Sequence, residues 1–153
     1  MTELVYLNES YKTEHLSKVT SFDGDGQLEC EETILYPQGG GQPTDTGRIE
    51  GTRCSMIVEM VSYDRITGQV KHKGKLEPME GTFVPGEEVK QIVDWDRRYL
   101  HMRLHSGGHL IDHAVQELGC PFKSLKAYHY PAGPNVEFQV MDTQTAITNE
   151  QSE

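Results

Sequence analysis

His105 and His109 stand four residues apart in Arg103-Leu104-His105-Ser106-Gly107-Gly108-His109. In a helix that spacing puts two imidazoles on one side of consecutive turns, where one metal ion can take both nitrogens. Histidines on a surface or in a core show the same spacing by chance, so the pair alone leaves both readings open. A zinc protease of the familiar kind needs Glu directly after the first His, and Ser106 stands there instead. Gly107 and Gly108 each cost a helix about 1 kcal/mol relative to Ala. Their presence asks for a neighbouring backbone or a ligand that comes close.

A second stretch with chemical potential is Tyr36-Pro37-Gln38-Gly39-Gly40-Gly41-Gln42-Pro43-Thr44-Asp45-Thr46-Gly47. Gly39, Gly40 and Gly41 permit backbone angles closed to other residues and let the chain approach a ligand. Gln42 offers both a donor and an acceptor. A plain surface loop is the competing reading, although two prolines stiffen this one. No Gly-Lys-Ser/Thr follows the glycines, so it is not a phosphate-binding P-loop.

These groups need elements to hold them. Asp94 or Asp96 can cap a helix that Gly119, Cys120 and Pro121 bring to an end. At about 100° per residue, His101, His109 and His113 fall within roughly 80° of His105. Leu100, Leu104, Ile111, Val115 and Leu118 share another arc, and that apolar stripe is expected to pack into a core. Residues 3–93 read as β-rich. Leu4–Leu7 is a short apolar run, Lys18–Thr33 reads as a hairpin about Asp23-Gly24-Asp25-Gly26, and Cys54–Val61 is a strand with Ile66–His72 returning beside it. Thr82–Val84 and Val89–Val93 read as a hairpin across Pro85-Gly86, and Lys71–Lys75 as a solvated hairpin tip. Tyr128–Pro134 reads as a turn, Asn135–Val140 as a strand, and the polar stretch from Asp142 to Glu153 as frayed. The expected fold is α+β: a small β-barrel-like part over 1–93, then a long helix packed on an antiparallel sheet over 94–153.

With 153 residues the chain can bury a real core, and a formal charge of −10 argues against broad, non-specific nucleic-acid binding. No apolar run is long enough for a membrane span, and no signal peptide is visible. Cys30, Cys54 and Cys120 suggest no disulfide framework. A cytoplasmic protein is expected.

Three stretches together carry a resemblance: the loop Tyr36–Gly47, the helix motif His105–His109, and Tyr128-His129-Tyr130-Pro131-Ala132-Gly133-Pro134-Asn135-Val136-Glu137-Phe138. In this order they resemble the alanyl-tRNA editing family, freestanding relatives of the editing domain of alanyl-tRNA synthetase. The likeness covers nearly all of residues 3–140. It implies hydrolysis of the ester that joins serine, or sometimes glycine, to the acceptor end of the tRNA for alanine. A pocket shaped for a methyl group rejects an added hydroxyl poorly, so a second, hydrolytic site corrects the error. The resemblance also implies Zn²⁺ on His105 and His109, completed in the family by a later Cys-xxx-His pair. None of Cys30, Cys54 and Cys120 has His four residues on, so the 94–153 part is short against the family pattern. Cys120, His129 and His113 are the candidates for a third ligand.

Thr33 lies nine residues before Gln42, where editing domains carry a pocket-lining Thr; an ordinary strand Thr is the alternative. Gly40, Gly41, Gln42 and Arg103 are the other expected substrate contacts, and Gln42, His105 and His109 the expected catalytic set. Arg97, Arg98, Arg103, Lys123 and Lys126 can form a positive rim for phosphates. The competing function is a non-catalytic, regulatory tRNA-binding module of the same fold.

Overall fold

Alternation of apolar and polar residues builds the first part of the molecule. The computed structural model describes residues 1–78 and 80–141. They fall into two units, Met1–Gly39 with Pro43–Leu100, and Gly40–Gln42 with the chain from His101 onward. In the first unit β1 (Glu3–Leu4) leads into a short 3₁₀ turn, Val5–Leu7. Then come β2 (Glu14–Phe22), β3 (Gln27–Cys30), β4 (Glu32–Thr33), β5 (Gly47–Glu50), β6 (Cys54–Asp64), β7 (Gln69–Pro78) and β8 (Glu88–Val93). Six of these close a barrel in the order β2-β3-β7-β6-β5-β8, with every neighbouring pair antiparallel. Side chains alternate across each strand, so Val19, Leu28, Cys30, Ile49, Met56, Val58, Val61, Val70, Val89 and Val93 meet inside. The expected α+β architecture with a barrel-like first part is therefore present.

Two buried polar side chains fix the crossing at β4. Gln91 accepts a bond from Ile34 N (3.0 Å) and donates to Glu32 O (2.8 Å). His72 Nδ1 lies 3.1 Å from Leu28 O. A carbonyl only accepts, so Nδ1 carries the proton and Nε2 accepts the Thr33 hydroxyl at 2.8 Å. The Thr33 oxygen in turn accepts Leu35 N at 3.1 Å. Burial pushes the His72 imidazole down to about 4.

Three expectations for this unit are corrected. Lys71–Lys75 is not a solvated tip but the middle of β7, paired with β3 and β6, and His72 is its inward residue. Lysines on the outward positions disguised a half-buried strand. Thr82–Val84 forms no strand. The Glu87 carboxylate draws that segment into a turn by accepting Val84 N and both donors of Thr52, and Val89–Val93 pairs with β2 and β5 instead. Arg98 is no phosphate ligand, because it is buried against Asp45.

That ion pair joins the start of the long helix to the barrel. Asp45 Oδ2 accepts Arg98 Nε at 2.7 Å, a second guanidinium bond from Nη2, and Tyr36 N at 2.8 Å. Arg98 also donates to Ile34 O and Ser10 O.

In the second unit, helix α1 (Trp95–Glu117) continues from the first and lies beside the antiparallel pair β9 (Phe122–Tyr128) and β10 (Asn135–Val140). The apolar stripe does not enter a core as expected. Leu100, Ile111 and Leu118 are 46%, 53% and 78% exposed, and β9 is solvated along almost its whole length. A two-stranded sheet is too narrow to cover the stripe, and no other described residues do so. The expected fraying of Asp142–Glu153 lies outside the described residues. No helix among the described residues is long and apolar enough to cross a membrane.

Two stability measurements follow from the first unit. His72 is held near 4 against an ordinary 6.5, so folded protein binds fewer protons than unfolded protein between those values. Stability is complete above pH 6.5 and should fall by ~3 kcal/mol as pH drops towards 4. Urea unfolding at pH 7 and pH 4.5 should show the loss, and His72→Asn, which cannot charge, should lack that part of it. Arg98→Met leaves the Asp45 carboxylate buried without its cation and should cost about 3–5 kcal/mol in the same assay at pH 7.

Candidate functional site

Local sequence makes α1 one unbroken helix. Asp94 caps its first turn, with Oδ1 accepting Arg97 N at 3.3 Å. Gly119, at φ +63°, ends it. Continuity through Gly107 and Gly108 keeps His105 and His109 on one side, with ring centroids 5.0 Å apart and planes 22° from parallel.

The tip of the glycine-rich loop belongs to the same unit. Gly40 and Gly41 adopt φ of +57° and +78°, which favours glycine. A Cβ on Gly41 would lie 2.3 Å from Ala127 O and 3.1 Å from His129 Cδ2. The space is used: His129 N donates to Gly41 O at 2.9 Å. The turn also buries Gln42 and sets its Oε1 2.9 Å from His105 Nδ1. An amide oxygen only accepts, so Nδ1 carries the His105 proton and Nε2 keeps its lone pair.

His129 completes the group. Its ring is buried and stacks on His105 at 4.5 Å, 19° from parallel. On another side it fills the place of a missing side chain, since a Cβ on Gly108 would lie 2.4 Å from His129 Cε1. His129 and Gly108 together form a wall shared by two clefts. One, of about 150 Å³, is lined by His109, Asp112, Ser124 and Lys126. The other, of about 180 Å³, is lined by Arg103, Leu104, Ile111 and Val136.

Burial lowers the affinity of His105 for a proton, and the neighbouring His129 and His109 add to the effect. His129 is lowered by burial and then by His109. Neutral imidazoles are the form that binds a metal or accepts a proton. A hydrogen bond to the second ring nitrogen is what orients a metal-binding histidine, and Gln42 makes that bond to His105. The donor set therefore fits Zn²⁺ at two positions, His105 and His109. No group of three His, Cys, Asp or Glu among the described residues is arranged to hold a metal ion.

The remaining expected residues take different places. Thr33 lies in the first unit, buried, with its hydroxyl donated to His72. Arg103 is on the exposed side of α1 at the edge of the larger cleft. Arg97 belongs to the first unit and donates to Thr44 O at 3.2 Å. His113 is exposed, and Cys120 lies beyond the helix end. Of the three candidates for a further ligand, His129 is the one whose ring meets His105. Its segment read as a turn and as one of the three stretches that carry the resemblance, and His129 was a ligand candidate. Its place against Gly108 had only an indirect signal: Gly108 asked for a close neighbour without naming it.

Gly107 and Gly108 should answer substitution in opposite ways. No atom of the described residues lies within 4 Å of a Cβ on Gly107, so Gly107→Ala should stabilise the chain by about 1 kcal/mol through helix propensity. Gly108→Ala meets the His129 ring and should instead destabilise by about 1–3 kcal/mol. Urea unfolding followed by circular dichroism measures both.

The family described as tRNA synthetases class II (A) matches residues 7–97. The alanyl-tRNA editing protein AlaX-M of Methanosarcina acetivorans is 32% identical over 121 residues, covering 76% of this chain and 49% of its own. AlaX-M of Pyrococcus horikoshii is 39% identical over 118 residues, covering 77% and 50%. Alanine–tRNA ligase of Pyrococcus abyssi is 33% identical over 112 residues, covering 72% of this chain and 11% of the ligase. The chain spans about half the length of the AlaX-M relatives it matches. By these matches it belongs to the class II (A) tRNA synthetase family, in the alanyl-tRNA editing group.

Proposed function

We propose that this chain is a deacylase that removes serine, or glycine, wrongly attached to the acceptor end of the tRNA for alanine. The observation that carries the reading is the part-buried Gln42–His105 hydrogen bond, which presents a neutral imidazole with its Nε2 lone pair beside His109 and His129. In the reaction, water adds to the ester carbonyl carbon, the bond to the ribose oxygen breaks, and that oxygen leaves with a proton. Gln42 keeps the His105 proton on Nδ1, so Nε2 can take a hydrogen bond or a proton from the attacking water. Gly40 and Gly41 supply backbone that a substrate can approach closely. Arg103 and Lys126, each at the edge of a cleft, suit phosphates of the acceptor stem. As the alternative to that base role, the same Nε2 lone pair and His109 would hold zinc, which would supply a more acidic water or a fixed seat for the substrate carbonyl or amino group. Such chemistry belongs with translation in the cytoplasm.

A second reading, a tRNA-binding module without catalysis, is favoured by one observation: the described residues contain no three-ligand metal group. Incubating the purified chain with seryl-, glycyl- and alanyl-tRNA for alanine separates the two. Selective release of serine or glycine is the expected result. Intact tRNA binding without release would leave the module, and release from small esters without tRNA would mark an unrelated hydrolase. Elemental analysis of untagged protein should find zinc weakly held, and one tightly held zinc per chain would reveal a ligand not assigned here. Because burial lowers the proton affinity of His105, activity should persist through its ordinary value near 6.5 and decline at lower pH.

A further inference from the structure

We propose that His129 is the positioning residue of the site: its ring sets the plane of His105 and thereby holds the Gln42 hydrogen bond. The inference rests on the deacylase reading for its kinetic consequence, but not for its structural one. Three independent features converge on one ring. Gly108, inside a helix, lacks a Cβ that would lie 2.4 Å from His129 Cε1. Gly41, in a left-handed turn, lacks one that would lie 3.1 Å from His129 Cδ2. The His129 backbone is tied to Gly41 O, so the ring enters the slot from a fixed point. Glycine inside a helix is unfavourable, and the ring is what occupies the space left at Gly108.

The ring then does one thing for the pair above it. His105 is gripped at Nδ1 by Gln42 and supported on its face by His129, 4.5 Å away and 19° from parallel. The hydrogen bond and the more distant His109 ring, 5.0 Å away, leave the imidazole room to rock about that bond. A flat support removes this freedom, which costs reactivity when reacting atoms must align. What His129 contributes is a flat ring of the right size. Its nitrogens are not required, and a carbocyclic ring should serve.

The test compares His129→Ala with His129→Phe in the full chain. In wild type the ¹⁵N signals of His105 should report one tautomer, protonated at Nδ1. His129→Ala should turn these into the averaged signals of a freely exchanging imidazole and lower kcat for serine release about tenfold or more, with KM little changed. His129→Phe should restore both. If His129→Ala fails to fold, His129→Phe alone decides: a single His105 tautomer supports the proposal, and an averaged one overturns it. Unchanged His105 signals in a folded His129→Ala would also overturn it. So would a folded His129→Phe as impaired as the alanine variant, because the imidazole nitrogens would then be what matters. If wild type releases no serine, the deacylase reading fails while the His105 spectra still judge His129.

Discussion

The ion pair of Asp45 with Arg98 is the constraint on which the first unit depends. A charge buried this deeply is costly unless every strong bond is made, and such a pair adds little net stability over apolar packing. What it fixes is geometry. One guanidinium gathers Ser10, Ile34 and Asp45, and the carboxylate adds Tyr36. The start of the helix and both flanks of the glycine-rich loop are thereby placed by the same few atoms. The flanks are pinned further by Asp45 N to Tyr36 O and Gln38 N to Val61 O. A loop with three consecutive glycines therefore has a defined course. Asp45 Oδ1 is buried with no hydrogen-bond partner among the described residues, so the whole arrangement hangs on the other oxygen.

The second unit works by a different economy of space. Its imidazoles are brought close by removing side chains as well as by the bonds to Gln42 and Gly41. Gly41 and Gly108 come from distant parts of the chain, and each leaves a gap that one ring fills. Burial disfavours charging His105 and His129, and the neighbouring imidazoles add to the effect. Neutrality at His105 and His129 is thus a property of the cluster and of its burial together.

Much of this was legible in the sequence because it is local. Period-two alternation gave several of the barrel strands though not β5, Asp94 or Asp96 and Gly119 gave the helix ends, and the four-residue spacing gave the histidine pair. What was not legible depends on partners far along the chain. Arg98 read as a surface cation because nothing in its neighbourhood announces Asp45, fifty-three residues away. Lys71–Lys75 read as a tip because its outward lysines outnumber the one inward histidine. His129 was a ligand candidate in a turn segment, and only a contact map could match it to Gly108. The apolar stripe on α1 was read correctly as a stripe. Periodicity says which residues share a face, not whether anything covers that face.

That uncovered face has a consequence for how the molecule holds itself together. The barrel hides its hydrogen bonds behind a closed apolar interior, whereas β9 and β10 shelter theirs behind almost no buried surface. Opening a region costs roughly what its buried contacts contribute, so among the described residues the hairpin carrying His129 has less to hold it closed than the barrel. The imidazole cluster is assembled on the less durable of the two units. A ligand that binds only the assembled cluster stabilises it by mass action. Occupancy of the site, more than the strength of the barrel, then decides what fraction of the time these three rings stand together.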